Sequence, residues 1–192
     1  MNEAVSSGIS PAQVSEVQAR SRRLYSSDEV ELALDQMAIA ITAQLNGQNP
    51  LLLCVMNGGL IVSGKLATRL QFPLQLDYLH VSRYRNKTSG AELEWRVRPA
   101  SSLHERVVLI VDDILDEGVT LQAIVDYCKQ QGARQVLSAV LVDKQHQRKL
   151  TALKADFVGL ETEDYYLYGY GMDYKGYLRN ADGIFAVAPE DI

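Results

Sequence analysis

VVLIVDDILDEGVTL, residues Val107 to Leu121, is the stretch on which the reading of this chain turns. Val107 to Val111 are apolar and mostly β-branched, the composition of a strand buried on both faces in the middle of a parallel sheet. Asp112 and Asp113 follow at the strand's carboxyl end, and after Ile114 and Leu115 the chain turns polar through Asp116, Glu117, Gly118 and Thr120. Leu121, Ile124, Val125 and Cys128 then recur at helical spacing, so a helix leaves the turn. Open α/β sheets bind ligands at such a strand–loop–helix junction. A helix start also offers unpaired N–H groups and a positive dipole end to a phosphate. Aspartates ahead of a helix serve as N-caps as well. Capping does not account for three acids within five positions after so apolar a strand, because their mutual repulsion is a cost. A metal or a hydroxyl-rich ligand would offset it.

At 192 residues the chain is expected to form a single domain with one substantial core. A net charge of −5 argues against a nucleic-acid surface as the main function. Cys54 falls in an apolar, strand-like run and Cys128 on the buried face of the expected helix; neither has metal-ligand spacing, and both read as core thiols in a reducing compartment. No basic segment leads into an apolar run at the N-terminus, and the uncharged stretch from Gln36 to Gly64 is too heavily punctuated by polar residues, Gly and Pro to span a membrane. A cytoplasmic protein without membrane or nucleic-acid partners is expected.

Taken in order, Ser10-Pro11-Ala12-Gln13 reads as a capped helix start, with Val14, Val17 and Leu24 as its apolar stripe. A second capping box, Ser26 with Glu29, opens an amphipathic helix through Val30, Leu34, Met37, Ile41 and Leu45. Leu51 to Met56 reads as a buried strand, Asn57-Gly58-Gly59 as a tight loop, and Leu60, Gly64, Ala67 and Leu70 as the inner face of the next helix. Two strands, Leu74 to Ser82 and Leu93 to Arg98, flank the basic, glycine-ended loop Arg83 to Gly90, which by itself reads as a solvated hairpin loop. Gln135 to Val142 is a further buried strand ending in Asp143-Lys144, and a strand-end lysine is ordinarily a solvated surface group. After a short strand from Ala155 to Leu160, six of the ten tyrosines crowd between Tyr165 and Tyr177, more polar aromatics than core packing needs. No internal repeat, low-complexity tract or linker is visible.

Asp112-Asp113-Ile114-Leu115-Asp116-Glu117-Gly118-Val119-Thr120 resembles the phosphoribosyl-pyrophosphate signature of the type I purine phosphoribosyltransferases, which is two acids, two apolar residues, then Asp-Thr-Gly-x-Thr. Tyr166 to Arg179, with Gly169-Tyr170 and Asp173-Tyr174, is similar to the block found in 6-oxopurine members. The resemblance runs from about Leu51 to Arg179 through five segments in the family's order. It implies an α/β fold with a mostly parallel central sheet flanked by helices and a small hood. The N-terminal helical extension would cover about residues 10–46, the core about 50–160 and the hood about 161–192.

The implied activity is pentosyl transfer from phosphoribosyl pyrophosphate to hypoxanthine or guanine in purine salvage, with release of pyrophosphate. Asp116 would be the general base. Asp112 and Asp113 would hold the ribose hydroxyls, and Asp116, Glu117, Gly118, Val119 and Thr120 would cradle the 5′-phosphate. Met56, Asn57, Gly58 and Arg179 would bind pyrophosphate, across a peptide bond at Met56-Asn57 that is often cis in the family. Lys144, Tyr166, Leu167 and Asp173 would bind the purine, with Lys144 on the 6-oxo group. The loop opening with Arg83 and Tyr84 would close over the site. Mg²⁺ would be the cofactor, with Asp173, Asp112 and Asp113 near it, and a homodimer or homotetramer is implied.

Glu117 and Arg83 depart from the family's threonine and serine. The Glu117 side chain is expected to point to solvent, with only its N–H used, since an acid is repelled by phosphate. A non-catalytic sensor of the same sugar donor, or a transferase for another base such as xanthine, are the alternative readings. The acidic chain and the joint presence of Asp116, Lys144 and Arg179 favour the enzyme.

Overall fold

A computed structural model describes residues 8–84 and 92–192, with the side chains of residues 83, 84 and 92 left aside. The elements in chain order are α1 (Pro11–Arg20), β1 (Arg22–Ser26), α2 (Ser27–Leu45), β2 (Leu51–Met56), α3 (Gly59–Arg69), β3 (Gln75–Tyr84), β4 (Glu92–Val97), β5 (Val107–Leu115), α4 (Val119–Gln130), β6 (Gln135–Lys144), β7 (Phe157–Thr162), β8 (Leu167–Tyr168) and β9 (Gly183–Ala186), with a 3-10 turn at Pro189–Asp191. Six strands form the main sheet in the order β4-β3-β2-β5-β6-β7, parallel except for β4 at the edge.

The strand quoted first lies at the centre, as its composition predicts. Val107, Leu109 and Val111 pack with α2 and α3 on one face, while Val108 and Ile110 pack with Leu121, Ile124 and Cys128 of α4 on the other. Both faces of β5 are therefore covered, and its apolar run Val107–Val111 has no side open to solvent. The same alternation continues past the apolar run. Asp113 shares the parity of Val111 and points toward the start of α3, while Asp112 points the other way.

The structure corrects several boundaries. The first helix ends at Arg20, so Leu24 lies in β1 rather than on a helical stripe. β1 finds an antiparallel partner in β9, and β8 completes a small three-stranded sheet, β1-β9-β8. That long-range partner outweighs local helical spacing. The segment from about 10 to 46 thus holds a strand as well as helices, and α2 lays Val30, Leu34, Met37, Ile41 and Leu45 into the core. β5 and β6 run on through Asp112-Asp113 and Asp143-Lys144 before they end, and β7 starts at Phe157, two residues later than expected. Both helix starts read as capping boxes, Ser10 with Gln13 and Ser26 with Glu29, are formed. Among the described residues, no helix is long and apolar enough to cross a membrane.

Candidate active site

Because β2, β5 and β6 are parallel, their carboxyl ends share one edge, and a cavity of about 490 Å³ opens there. Asp112 and Asp113 form its floor. Burial first, and then the neighbouring Asp113, pushes the Asp112 carboxyl well above the usual carboxylate range; burial also raises Asp113. The Asp113 N–H donates to Asp112 Oδ1 at 2.9 Å. Arg179, across the cavity, favours the charged form of both acids. It is itself engaged, with Nη2 2.6 Å from Asp173 Oδ1 and Nη1 donating to the Gly171 carbonyl at 2.5 Å. The Gly176 N–H donates to the other Asp173 oxygen at 2.7 Å.

The wall opposite is the loop between β2 and α3. Met56, Asn57 and Gly58 line the cavity, and the Met56–Asn57 peptide bond is cis. Close packing leaves no room for side chains here. A Cβ on Gly58 would sit 2.2 Å from Asp113 Oδ2, and one on Gly171, whose φ is +113°, would sit 2.0 Å from the Gly58 carbonyl oxygen. Three chain segments are thereby pressed together, the loop, the end of β5 and the tyrosine-rich block. Glycine is what lets them meet.

At the third side, Gly118 takes a left-handed conformation (φ +85°) and starts α4 with no side-chain cap. The N-terminus of α4, with its positive dipole end, therefore opens directly from the Asp116–Thr120 turn, an arrangement that suits a phosphate. Leu150 N–H donates to the Glu117 carbonyl at 2.9 Å, which fixes the turn from behind. The Glu117 side chain does not simply point to solvent. Its Oε1 lies 3.3 Å from Arg148 Nη1, so the departure from a hydroxyl residue is answered by a basic residue that sequence reading had not weighed.

The β-ladder explains a second cluster, beyond the end of β6. Leu115 pairs with Asp143 and Lys144 with Thr162, so Asp116 stands on one side of Lys144 and Asp164 close on the other. Lys144 is buried, 7% exposed, and its Nζ is 3.5 Å from Asp116 Oδ2 and 3.6 Å from Asp164 Oδ1. It is therefore not the solvated surface group that a strand-end lysine ordinarily is. His146 Nε2 meets Asp116 Oδ1 at 2.7 Å. Arg148 grips Asp164 with two bonds of 2.6 and 2.8 Å and reaches Asp116 Oδ1 at 3.3 Å. The Arg148 guanidinium holds the Asp164 carboxyl down at about 2. His146, Arg148 and Asp164 were missed in the sequence. The basic run Lys144 to Lys149 was a signal for the first two, whereas Asp164 becomes relevant only through the β6–β7 register.

Ligand atoms of Asp116, His146 and Asp164 lie within 4.8 Å of one another, a spacing that could hold a metal ion. Lys144 and Arg148 already neutralise both carboxylates there, so a cation fits better over Asp112 and Asp113, whose charges are crowded and only distantly compensated. Asp173, with both oxygens engaged, is the weaker candidate ligand.

Tyr166 stands edge-on to Tyr174 at 5.8 Å between ring centroids and is partly exposed. Leu167 is buried in β8, paired with Ala186. Among the described residues, neither lines the cavity itself, and Lys144 reaches it only through Asp116. Arg83 and Tyr84 end β3; their side chains and the loop beyond them, expected to close over the site, lie outside the described residues.

Comparison with known proteins bears on this geometry. Residues 21–175 match the family model of the phosphoribosyl transferase domain. The hypoxanthine-guanine phosphoribosyltransferase of Bacillus subtilis is 32% identical over 86% of this chain and 92% of its own length. The bifunctional protein TilS/HprT of Listeria innocua is 34% identical over 87% of this chain, which spans only 26% of that longer protein. A solved hypoxanthine phosphoribosyltransferase of Staphylococcus aureus superposes with a TM-score of 0.84 at 24% identity, covering 95% of this chain and 97% of its own.

Proposed function

The chain belongs to the phosphoribosyl transferase family, and from that premise we propose that it is a purine-salvage enzyme forming nucleotides from hypoxanthine or guanine and phosphoribosyl pyrophosphate. The observation that carries this reading is the position of Asp116. Its carboxylate lines the donor cavity and also touches Lys144 and His146, so one group joins the sugar-phosphate side to the base side.

In the reaction the bond from ribose C1 to pyrophosphate breaks, a bond from C1 to a purine nitrogen forms, and the proton on that nitrogen passes to Asp116. The turn Asp116–Thr120 and the start of α4 receive the 5′-phosphate, and Asp112 and Asp113 accept the ribose hydroxyls. Asn57 and Gly58 with Arg179 receive pyrophosphate. A divalent cation, taken as Mg²⁺, would sit by Asp112 and Asp113 and neutralise the leaving group when bound. Lys144 donates to the 6-oxo group, a contact that adenine, with a donor there, cannot make. Tyr166 covers the base face, and the backbone near Leu167 and Asp173 follows its edge. Much of the rate gain comes from holding both substrates in line in a polar, pre-arranged site.

The small sheet β1-β9-β8, which adjoins Tyr166, serves as the hood. A cytoplasmic homodimer or homotetramer is the assembly proposed, in keeping with the family resemblance. Pyrophosphate release with hypoxanthine, guanine, xanthine, adenine and orotate, with and without Mg²⁺, tests the assignment. Metal-dependent turnover of hypoxanthine or guanine supports it. Saturable donor binding without turnover of any base would replace the enzyme with a sensor.

A further inference from the structure

We propose that His146 is a positioning residue for Asp116, a fixed hydrogen-bond donor that aims the base carboxylate and does not itself take the proton. The inference rests on the reading of Asp116 as general base. His146 sits in the turn after β6 with its side chain only 4% exposed, and both ring nitrogens have partners. The Arg148 backbone N–H donates to Nδ1 at 3.0 Å. A nitrogen that accepts from an amide cannot also carry a proton toward it, so the neutral ring bears its hydrogen on Nε2. Nε2 then donates to Asp116 Oδ1 at 2.7 Å.

The turn that holds this ring is anchored at both ends. Gln145 N–H donates to the Thr162 carbonyl at 2.7 Å, and Leu150 N–H donates to the Glu117 carbonyl at 2.9 Å. The ring is therefore set by backbone contacts rather than by flexible side chains. Asp116 Oδ1 is occupied by His146 and Arg148, and Oδ2, whose neighbour is Lys144 Nζ at 3.5 Å, is the oxygen left for the purine N–H. A proton arriving on Asp116 has no path into the ring, because Nε2 is already protonated and Nδ1 is capped. Metal binding at the same trio is disfavoured by Lys144 and Arg148, as described above.

The test combines a direct and a functional readout. Nitrogen-15 spectra of the histidines, with His146 assigned by its loss in His146→Gln, should show a pyrrole-like Nε2 and a pyridine-like Nδ1 at neutral pH. The opposite tautomer, or two protonated nitrogens, would overturn the proposal. In steady-state assays with phosphoribosyl pyrophosphate, Mg²⁺ and hypoxanthine, His146→Phe keeps a ring but loses the donor. It should lower kcat roughly 10- to 100-fold, the cost of a misaimed group, with the donor KM within about threefold of wild type. Gln can present an amide N–H in place of Nε2, so His146→Gln should recover most of the loss. Equal impairment of both variants, or a wild-type kcat in His146→Phe, overturns the positioning role. Asp116→Asn serves as the control. If it retains turnover, the general-base reading fails and the inference falls with it; if it alone loses turnover, only the His146 inference falls.

Discussion

The cavity floor at the end of β5 and the cluster beyond β6 are both rich in acids, but their charges are handled in opposite ways. On the floor, Asp112 and Asp113 stand side by side with Arg179 as a distant cation, and burial pushes both carboxyls upward. In the cluster, Asp116 and Asp164 are met by Lys144, His146 and Arg148, and Asp164 is held down at about 2. An undercompensated pair suits a ligand that brings its own positive charge and hydroxyl donors. A compensated network suits a neutral base, which needs directional donors and acceptors already in place. The floor thus carries uncompensated charge, whereas the cluster is compensated by its own residues.

Substitutions should separate the two halves. The largest effect is expected from the residue they share: Asp116→Asn should lower kcat by about 10²- to 10⁴-fold while donor affinity by calorimetry changes little. Next, Gly171→Ala forces a side chain onto the Gly58 carbonyl at a positive φ. It should cost more than about 2 kcal/mol in denaturant unfolding and weaken donor binding, leaving the base cluster intact.

Smaller, and of opposite sign in the two halves, are the charge removals. Asp112 is raised in the fold, so its ionised form costs stability above the unfolded pKa, and protonation or Asp112→Asn relieves that cost. Asp112→Asn should therefore stabilise the free protein by about 1 kcal/mol while impairing donor binding. Asp164 is lowered by Arg148, so its contribution is present above the unfolded value of 3.8 and is lost as pH falls toward about 2. Asp164→Asn should destabilise by about 0.5 kcal/mol at neutral pH, a figure discounted for exposure, with the difference from wild type closing near pH 2. Melting temperatures that shift in the same direction for both variants would erase the contrast. On acidification from neutral pH, donor affinity should decline before the Asp164–Arg148 pairing does, since the floor acids take up protons at higher pH.

The two halves also differ in how far the sequence disclosed them. The floor and the turn that leads into α4 are written contiguously, Asp112 through Thr120, between a strand and a helix whose periodicities are unambiguous. Lys144 was visible as a motif residue, but its burial follows from neighbours on two strands, which no local pattern records. Asp164 joins the site through register, so its residue type alone carried no signal, and His146, marked only by its basic run, is placed by a turn tied by backbone hydrogen bonds. The Glu117–Arg148 contact is of the same kind, a departure from the expected residue balanced by one distant in sequence. β1 was misjudged because its partner, β9, lies at the far end of the chain. The loop from 85 to 91 lies outside the described residues.

The most direct single measurement is the ratio of kcat/KM for hypoxanthine to that for adenine under saturating donor and Mg²⁺. A buried Lys144 donor held between Asp116 and Asp164 predicts a preference of roughly 10⁴ or more for the 6-oxopurine. Comparable turnover of adenine, or turnover of neither base, would contradict the account.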